Sequence, residues 1–334
     1  MSHRVTVLVA VKDGLPWVRE AVESVLAQTY EDFELLLVDD GSADGTAEAA
    51  EAYGDPRIRV LRNERNLGQA PSLNRGLREA RGEYVARLDA DDVCLPQRLE
   101  RQVAVLERDP SVALVGTWMD VVDERGRLWA RLRGRVGDFP ELVLAILADR
   151  YPWGHPSVMF RRDVVLELGG YDETLAPSED KDLYRRLALA RHEARSIEEP
   201  LVRYRRHERQ LSQEQWEVQQ RHDWASQERF IAELAGEEHA RRLRLLLSAG
   251  SDPEGGEDEL LRRLLEGAER RLRLTAADRA KLESLLRRHL ARRRRRPALR
   301  AARGLLRAWP LAPVRSVARR SRALRSLYTR LVGR

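Results

Sequence analysis

Tyr84-Val85-Ala86-Arg87-Leu88-Asp89-Ala90-Asp91-Asp92 sets a largely apolar run directly ahead of three clustered carboxylates. The run Tyr84–Leu88 follows a helix-ending Arg81-Gly82 and reads as a buried strand. Three carboxylates at its C-terminal end face the crevice where open α/β sheets bind ligands. Carboxylates this close repel one another unless a cation or a proton neutralises them, which makes a divalent metal their natural partner. A metal there would hold a diphosphate, and a diphosphate held by metal is a leaving group. An isolated D-x-D more often marks a solvated turn, so the surrounding sequence has to carry the reading.

Upstream, strand and helix signals alternate with short connections, the pattern of a parallel α/β sheet. Arg4–Val11 is a β-branched run, and Leu15–Gln28 carries Val18, Ala21, Val22, Val25 and Leu26 at helical spacing. Phe33–Val38 is a second strand, ending at Asp39-Asp40-Gly41-Ser42, where Ser42 or Asp44 can cap a helix from about Gly45. Ile58–Leu61 is a third strand, Gln69–Ala80 a helix, and Pro96 opens a helix to about Arg108. Downstream, Val112–Trp118 is strand-like, Asp138–Ala148 helical, Ser157–Phe160 extended, Lys181–Ala190 helical and Leu201–Tyr204 extended. Gln213–Leu247 then reads as one long helix. Ser251–Asp258 is a linker, Glu259–Leu274 a helix, and Thr275-Ala276-Ala277-Asp278 resembles a capping box opening another to about Leu290. This divides the chain into a catalytic domain (1–208), a helical region (209–290) and an Arg-rich basic tail (291–334).

The bulk properties exclude several classes. The single cysteine, Cys94, rules out an internal disulfide, and no apolar run reaches the length of a membrane span. A reducing cytosol is the expected compartment. The net charge of +6 hides an asymmetry: Arg287–Arg334 holds 17 arginines and no acidic residue, leaving 43 basic against 54 acidic residues before it. An acidic body of this kind is not built for nucleic acid.

Five acidic or polar segments fall at one end of the predicted sheet: Ala10–Gly14, Asp39–Ser42, Asn63–Gly68, Asp89–Asp92, and Ser178–Asp182 at a helix start. An ionised aspartate after strand two can accept hydrogen bonds from a nucleobase or ribose, although Asp39, Asp40, Ser42 and Asp44 also suit a plain turn and helix cap. Asp180 is placed to be a general base for a hydroxyl; the alternative is that Glu179, Asp180 and Asp182 only favour a helix N-terminus. His207 can complete a metal site with the D-x-D aspartates, or stand as a surface histidine.

The order Asp39-Asp40-Gly41-Ser42-x-Asp44-Gly45-Thr46, Asn63–Gly68, Asn74-Arg75-Gly76, Arg81-Gly82-Glu83-Tyr84 and Asp89-Ala90-Asp91-Asp92 resembles the family 2 glycosyltransferases. So do Leu95–Leu99, His155–Arg162, Gly169-Gly170-Tyr171-Asp172 and Glu179-Asp180-x-Asp182-Leu183. The resemblance spans about residues 4–208. It implies a GT-A nucleotide-diphospho-sugar transferase fold, a Rossmann-like mixed sheet, here followed by a helical C-terminal region. It further implies a nucleotide-sugar donor, a divalent Mn²⁺ or Mg²⁺, and inversion at the anomeric carbon. Carried over by position, Asp40 with Asp39 would contact the base, and Ala10, Asp13, Asn66, Asn74, Asp89 and Ala90 would bind the donor. Asp89 and Asp91 would hold metal with His207 as a further metal or phosphate contact, and Asp180 would be the catalytic base. Two departures stand out: Ala10-Val11-Lys12-Asp13 replaces the family's Pro-x-Tyr-Asn and its stacking aromatic, and Lys181 stands where an aromatic is common.

The expected activity is transfer of a sugar, from UDP-sugar before dTDP- or GDP-sugar, to a hydroxyl of a glycan or lipid-linked acceptor in cell-surface polysaccharide synthesis. A nucleotidyltransferase would need a better phosphate loop than Lys12-Asp13-Gly14-Leu15-Pro16. A non-catalytic sugar-nucleotide-binding protein has no use for both Asp91 and Asp180. The tail suggests where the acceptor lies. Val317, Leu324, Leu327, Tyr328 and Leu331 recur at helical spacing among arginines, the pattern of a helix lying on an anionic membrane, with about 1 kcal/mol per Arg. This predicts a cytoplasmic enzyme, peripheral at the inner face of the plasma membrane, with no specific nucleic-acid partner; the alternatives are a tail that packs on the acidic body or a second subunit, or that binds RNA or DNA adventitiously. Liposome co-sedimentation of the full chain against one ending at Arg287 checks it. The full chain is expected to pellet with anionic vesicles at physiological salt and the shorter one to stay in solution, whereas equal binding would remove the tail from membrane attachment.

Overall fold

The computed structural model describes residues 3–294 except 152, 208–209, 211–214 and 253. The basic segment from 295 on, including the amphipathic stretch Arg315–Arg334, lies outside the described residues, as does the expected boundary at 208.

Four parallel strands begin the sheet: β1 (Val5–Val11), β2 (Phe33–Asp39), β3 (Ile58–Arg62) and β4 (Tyr84–Arg87). They lie in the order β3-β2-β1-β4, with Val11 opposite Asp39 and Asp39 opposite Arg62, so their following loops leave at one edge. Every residue of β2 is buried, as expected for a strand covered on both faces. Beyond β4 the sheet becomes mixed. The strands β5 (Val93–Cys94), β6 (Val112–Val122), β7 (Leu128–Leu132), β8 (Met159–Arg161) and β9 (Glu193–Arg205) extend it in the order β4-β8-β6-β9-β5, and β7 pairs with β6. β8 runs antiparallel to both β4 and β6, whereas β6 and β9 are parallel. The last turn of β9 therefore comes to lie over the acidic loop after β4.

Alternation along the central strands feeds two apolar layers. Val7, Val9, Leu35 and Leu37 face Val22 and Val25 of α1 (Val18–Leu26) and Leu99 and Val103 of α4 (Arg98–Arg108). The short helix α2 (Thr46–Glu51) follows β2 and contributes Ala49 and Ala50 to this layer. Leu8, Leu36 and Val38 face α3 (Gln69–Glu79), α5 (Phe139–Leu147), α6 (Arg162–Glu167) and α7 (Glu179–Leu189). The second layer continues without interruption into the C-terminal helices: Phe230, Ile231 and Leu234 share it with Val143, Ile146, Tyr184 and Leu187. Residues on either side of position 208 thus build one core.

The long helical run seen in the sequence is two helices, α8 (Trp216–Ala235) and α9 (Glu237–Ala249), broken at Gly236 with φ of 92°. That left-handed angle ends the helix, and only glycine adopts it without strain. α10 (Glu257–Arg271) and α11 (Ala276–Arg294) complete the chain's described part. The capping box forms as expected, with the Asp278 amide donating to Thr275 Oγ1 at 3.1 Å and the Thr275 amide to Asp278 Oδ2 at 3.3 Å. α11 runs past Leu290, and both His289 and Leu290 are buried, so a chain shortened to remove the tail belongs after Arg294.

α8 and α10 approach so closely at Gly267 that a Cβ there would lie 1.4 Å from the Leu234 carbonyl oxygen. Backbone cannot yield as a side chain can. Gly267→Ala is expected to cost about 1–3 kcal/mol of stability, read as a lowered midpoint in urea, since overpacking must push the two helices apart. An unchanged midpoint would contradict the close docking of these helices.

Candidate active site

The loops after β1–β4 open into a cavity of about 970 Å³. Its walls gather residues far apart in sequence: Ala10, Asp13 and Trp17, then Asp40 and Asn66, the acidic loop Asp89–Asp91, Gly154–Pro156, Glu179 and Asp180, and finally Tyr204, His207 and Gln219.

The acidic loop is built on a buried charge. Arg87, last residue of β4, is fully buried. Its Nη2 donates to Asp89 Oδ1 at 2.5 Å, its Nη1 donates to the Leu88 carbonyl, and its own carbonyl accepts from Arg98 Nη2 at 2.6 Å. Asp89 is thereby fixed facing Asp91 and Asp92, and one oxygen-bearing ligand atom from each of the three lies within 4.8 Å of the others. Burial, then the charge of Asp91, holds the Asp89 carboxyl above its ordinary value against the pull of Arg87. Asp92 is pushed well above, by burial and then by Asp91 and Asp89. Its Oδ1 accepts from the Arg205 amide at 2.8 Å, while its buried Oδ2 has no hydrogen-bond partner among the described residues. A hard oxygen-rich set of this kind fits Mg²⁺ or Mn²⁺. His207 reaches the same cluster from the end of β9: its Nε2 lies 2.7 Å from Asp91 Oδ2, and its ring stacks on Trp17 at 4.0 Å.

The other expected donor-binding residues divide. Asp13 lines the cavity at φ of 51°, with Oδ1 accepting from the Ala43 amide at 2.9 Å and Oδ2 from Lys12 Nζ. The Lys12 contact and then the Ala43 amide hold its carboxyl below the ordinary value. Asp40 also faces the cavity, where its oxygens accept from Asn63 Nδ2 (2.7 Å) and the amides of Leu67 and Gly68 (both 2.8 Å). It therefore shapes the β3–α3 loop that carries Asn66, whose own Oδ1 accepts from the Gly68 amide at 3.0 Å.

Asp39 and Asn74 do not line the cavity. Adjacent residues of an extended chain point to opposite faces, so with Asp40 turned into the cavity Asp39 is turned away from it, and its Oδ1 is buried without a hydrogen-bond partner among the described residues. Asn74, expected on the donor, is consumed in structure. Its Oδ1 accepts from the Tyr171 amide at 2.8 Å, and its Nδ2 donates to the Tyr171 carbonyl and Glu173 Oε1, both at 2.9 Å. The close fit explains Gly170, where a Cβ would sit 2.5 Å from Asn74 Oδ1. This clamp sets Tyr171, whose hydroxyl meets His155 Nε2 at 2.9 Å in the cavity wall. Burial, then the Arg87 charge, keeps His155 well below its ordinary pKa and hence neutral.

Asp180 lies in the first turn of α7. Burial raises its carboxyl above the ordinary value, opposed by Lys181 and by the amides of the turn. Its neighbour Glu179 is buried and pushed up to about 7 by burial and by Asp180. The cavity thus holds an acid cluster suited to a cation and, separately, a carboxylate with raised basicity.

The model of the glycosyl transferase family 2 matches residues 6–168. The putative glycosyltransferase EpsE of Bacillus subtilis (strain 168) is 36% identical over 207 residues, covering 60% of this chain and 73% of that protein. This chain belongs to glycosyl transferase family 2. Among solved structures, S. aureus TarS 1-349 in complex with UDP-GlcNAc superimposes with a TM-score of 0.57 at 17% identity, covering 87% of this chain and 88% of that one. The mannosyltransferase PcManGT from Pyrobaculum calidifontis, in complex with GDP-Man and Mn²⁺, gives 0.50 at 20% identity, covering 100% and 86%. The fold is GT-A, a curled mixed sheet with a helical C-terminal region.

Asp89 and Asp91 make a direct test of how the acid loop is held. Asp89→Ala leaves a buried guanidinium without its carboxylate and is expected to destabilise by about 3 kcal/mol. Asp91→Ala, at the cavity surface, is expected to change stability by under about 1 kcal/mol. Urea melts of the two variants distinguish them, and equal losses would contradict the Arg87–Asp89 anchor.

Proposed function

We propose that this glycosyltransferase moves a sugar from a nucleotide-diphosphate donor, UDP-sugar foremost, to a hydroxyl of a glycan or lipid-linked acceptor in cell-surface polysaccharide assembly, with inversion. The observation that carries the reading is that one cavity is lined both by Asp89 and Asp91, with Asp92 buried behind them, and by Asp180. Asp89 and Asp91 would hold Mn²⁺ or Mg²⁺, with His207 and Asp92 beside them. Bound there, the cation supplies positive charge against the negative charge that grows on the departing diphosphate.

Asp180 takes the proton from the acceptor hydroxyl as its oxygen attacks the anomeric carbon. A new C–O bond forms there as the bond to the nucleoside diphosphate breaks, and the electron pair leaves with the phosphate oxygen. A single displacement from the opposite face inverts the configuration. Asp40 and the loop it shapes, with Asn66, take the nucleoside; Ala10, Asp13 and Ala90 line its path to the acids. The likeness to structures holding UDP-GlcNAc and GDP-Man supports a nucleotide-sugar donor, and the Mn²⁺ of the second supports the cation.

Asp180→Asn is expected to cut transfer by about 10²-fold or more while donor affinity stays within a few-fold. The pH profile gives a second readout. A base works only when ionised, and burial raises this carboxyl, so activity falls as pH drops through a value above the ordinary aspartate range. That acid limb should vanish in Asp180→Asn. Transfer at near wild-type rate by the variant would reduce Asp180 to a helix-capping residue.

A further inference from the structure

The turn that presents Asp180 is tied down from outside the strand-and-helix body, by α8. Ser178 stands at the N-cap position of α7, yet its hydroxyl makes no cap hydrogen bond. Instead it donates to Asp223 Oδ1 on α8. Asp223 Oδ2 accepts from Lys181 Nζ, the residue next to Asp180. One turn further on, Ser226 Oγ donates to Asp182 Oδ1 at 3.1 Å, and Gln227 Nε2 donates to the Leu147 carbonyl at 2.7 Å. Asp223 is therefore a buried carboxylate gripping both sides of the base, residue 178 before it and residue 181 after it.

Lys181 makes this grip consequential. Its ammonium sits beside Asp180 in sequence and lies 5.7 Å from the Tyr151 ring centroid, mostly shielded from water. Burial works against that charge, but Asp149 at 3.3 Å and then Asp223 more than offset it and hold the ammonium above its ordinary value. A cation this close to the base has two possible directions. Paired with Asp223 and Asp149, it leaves the Asp180 carboxylate open to the cavity. Released from Asp223, it is held by Asp149 alone and is freer to swing toward Asp180, the other carboxylate whose charge acts on it, where it competes with the acceptor hydroxyl.

We propose that Asp223 is a positioning residue for Asp180: it retains the Lys181 ammonium and fixes the turn at Ser178, so that the base stays free for the acceptor. The inference rests on the reading of Asp180 as the base. It assigns α8 a part in the reaction, although that helix lies beyond the residues matched by the family model.

Steady-state kinetics of the full chain with a UDP-sugar and acceptor test it through a double-mutant cycle. Asp223→Asn keeps the shape and an acceptor for Ser178 but releases Lys181; kcat is expected to fall about tenfold to a hundredfold, with the donor KM within about threefold. Adding Lys181→Met removes the released cation and is expected to restore at least about tenfold of that loss. On the Lys181→Met background, Asp223→Asn should then change kcat by less than about threefold, a comparison that stands even if the single variant fails to fold. If Asp223 only docked α8 on α7, both variants carrying Asp223→Asn would fall together, and that result overturns the proposal, as would wild-type kcat in Asp223→Asn. Asp180→Asn, run in parallel, separates the two readings: retained transfer there removes the base itself, whereas its loss beside an unaffected Asp223→Asn removes only the positioning role.

Discussion

The site depends on one electrostatic constraint: three carboxylates crowd the end of β4 beside the fully buried Arg87 guanidinium. Arg87 must be paired, because an uncompensated charge inside a protein costs several kcal/mol. Asp89 satisfies it and is oriented by it. That leaves Asp91 and Asp92 with an excess of negative charge that, among the described residues, His207 and the Arg205 amide partly answer. Burial first, and then this excess, holds the carboxyls of Asp89 and Asp92 above their ordinary values. On the proposed function, a cation carrying a diphosphate would relieve it, and the crowding of the resting loop and its affinity for a nucleotide sugar would have one origin.

The remainder of the molecule can be read as the scaffold for that loop and for the carboxylate facing the same cavity. Parallel strands deliver the β1, β2, β3 and β4 loops to one edge. The mixed half of the sheet returns β9 across the acids, so that Arg205 and His207 seal them. The Asn74–Tyr171–His155 relay joins α3 to the far wall. The C-terminal helices share the core of the α3–α7 layer and grip the turn before Asp180. A region that looked separable in the sequence is packed as part of the catalytic body.

Much of this was legible in the sequence, and the reasons for the exceptions are physical. Strand and helix positions follow from β-branched runs and from 3.6-residue spacing, and the acid cluster is visible because its residues are contiguous. Position 87 looked like part of an apolar strand; nothing local reveals that its guanidinium is fully buried and anchors Asp89. Asn74 belongs to a family-like motif, but its partner Tyr171 is remote in sequence, so only the fold shows it is used as a clamp. Asp39 and Asp40 look equivalent until the pleat turns one inward and the other away. The break at Gly236 carried a signal, a glycine inside a helical pattern, that a continuous apolar stripe on both sides concealed. Asp223 gave none: one acid in a charged helix, its role set by what packs against it.

On the proposed function, the acid loop accepts a diphosphate only when a cation neutralises it. Calorimetric titration of the protein with UDP and with GDP, each with and without Mn²⁺, tests this without relying on the acceptor. At least one nucleotide is expected to bind in Mn²⁺, its affinity to fall by about tenfold or more when the metal is removed, and Asp91→Ala to abolish the difference. Equal affinity with and without metal in the wild-type protein would contradict it.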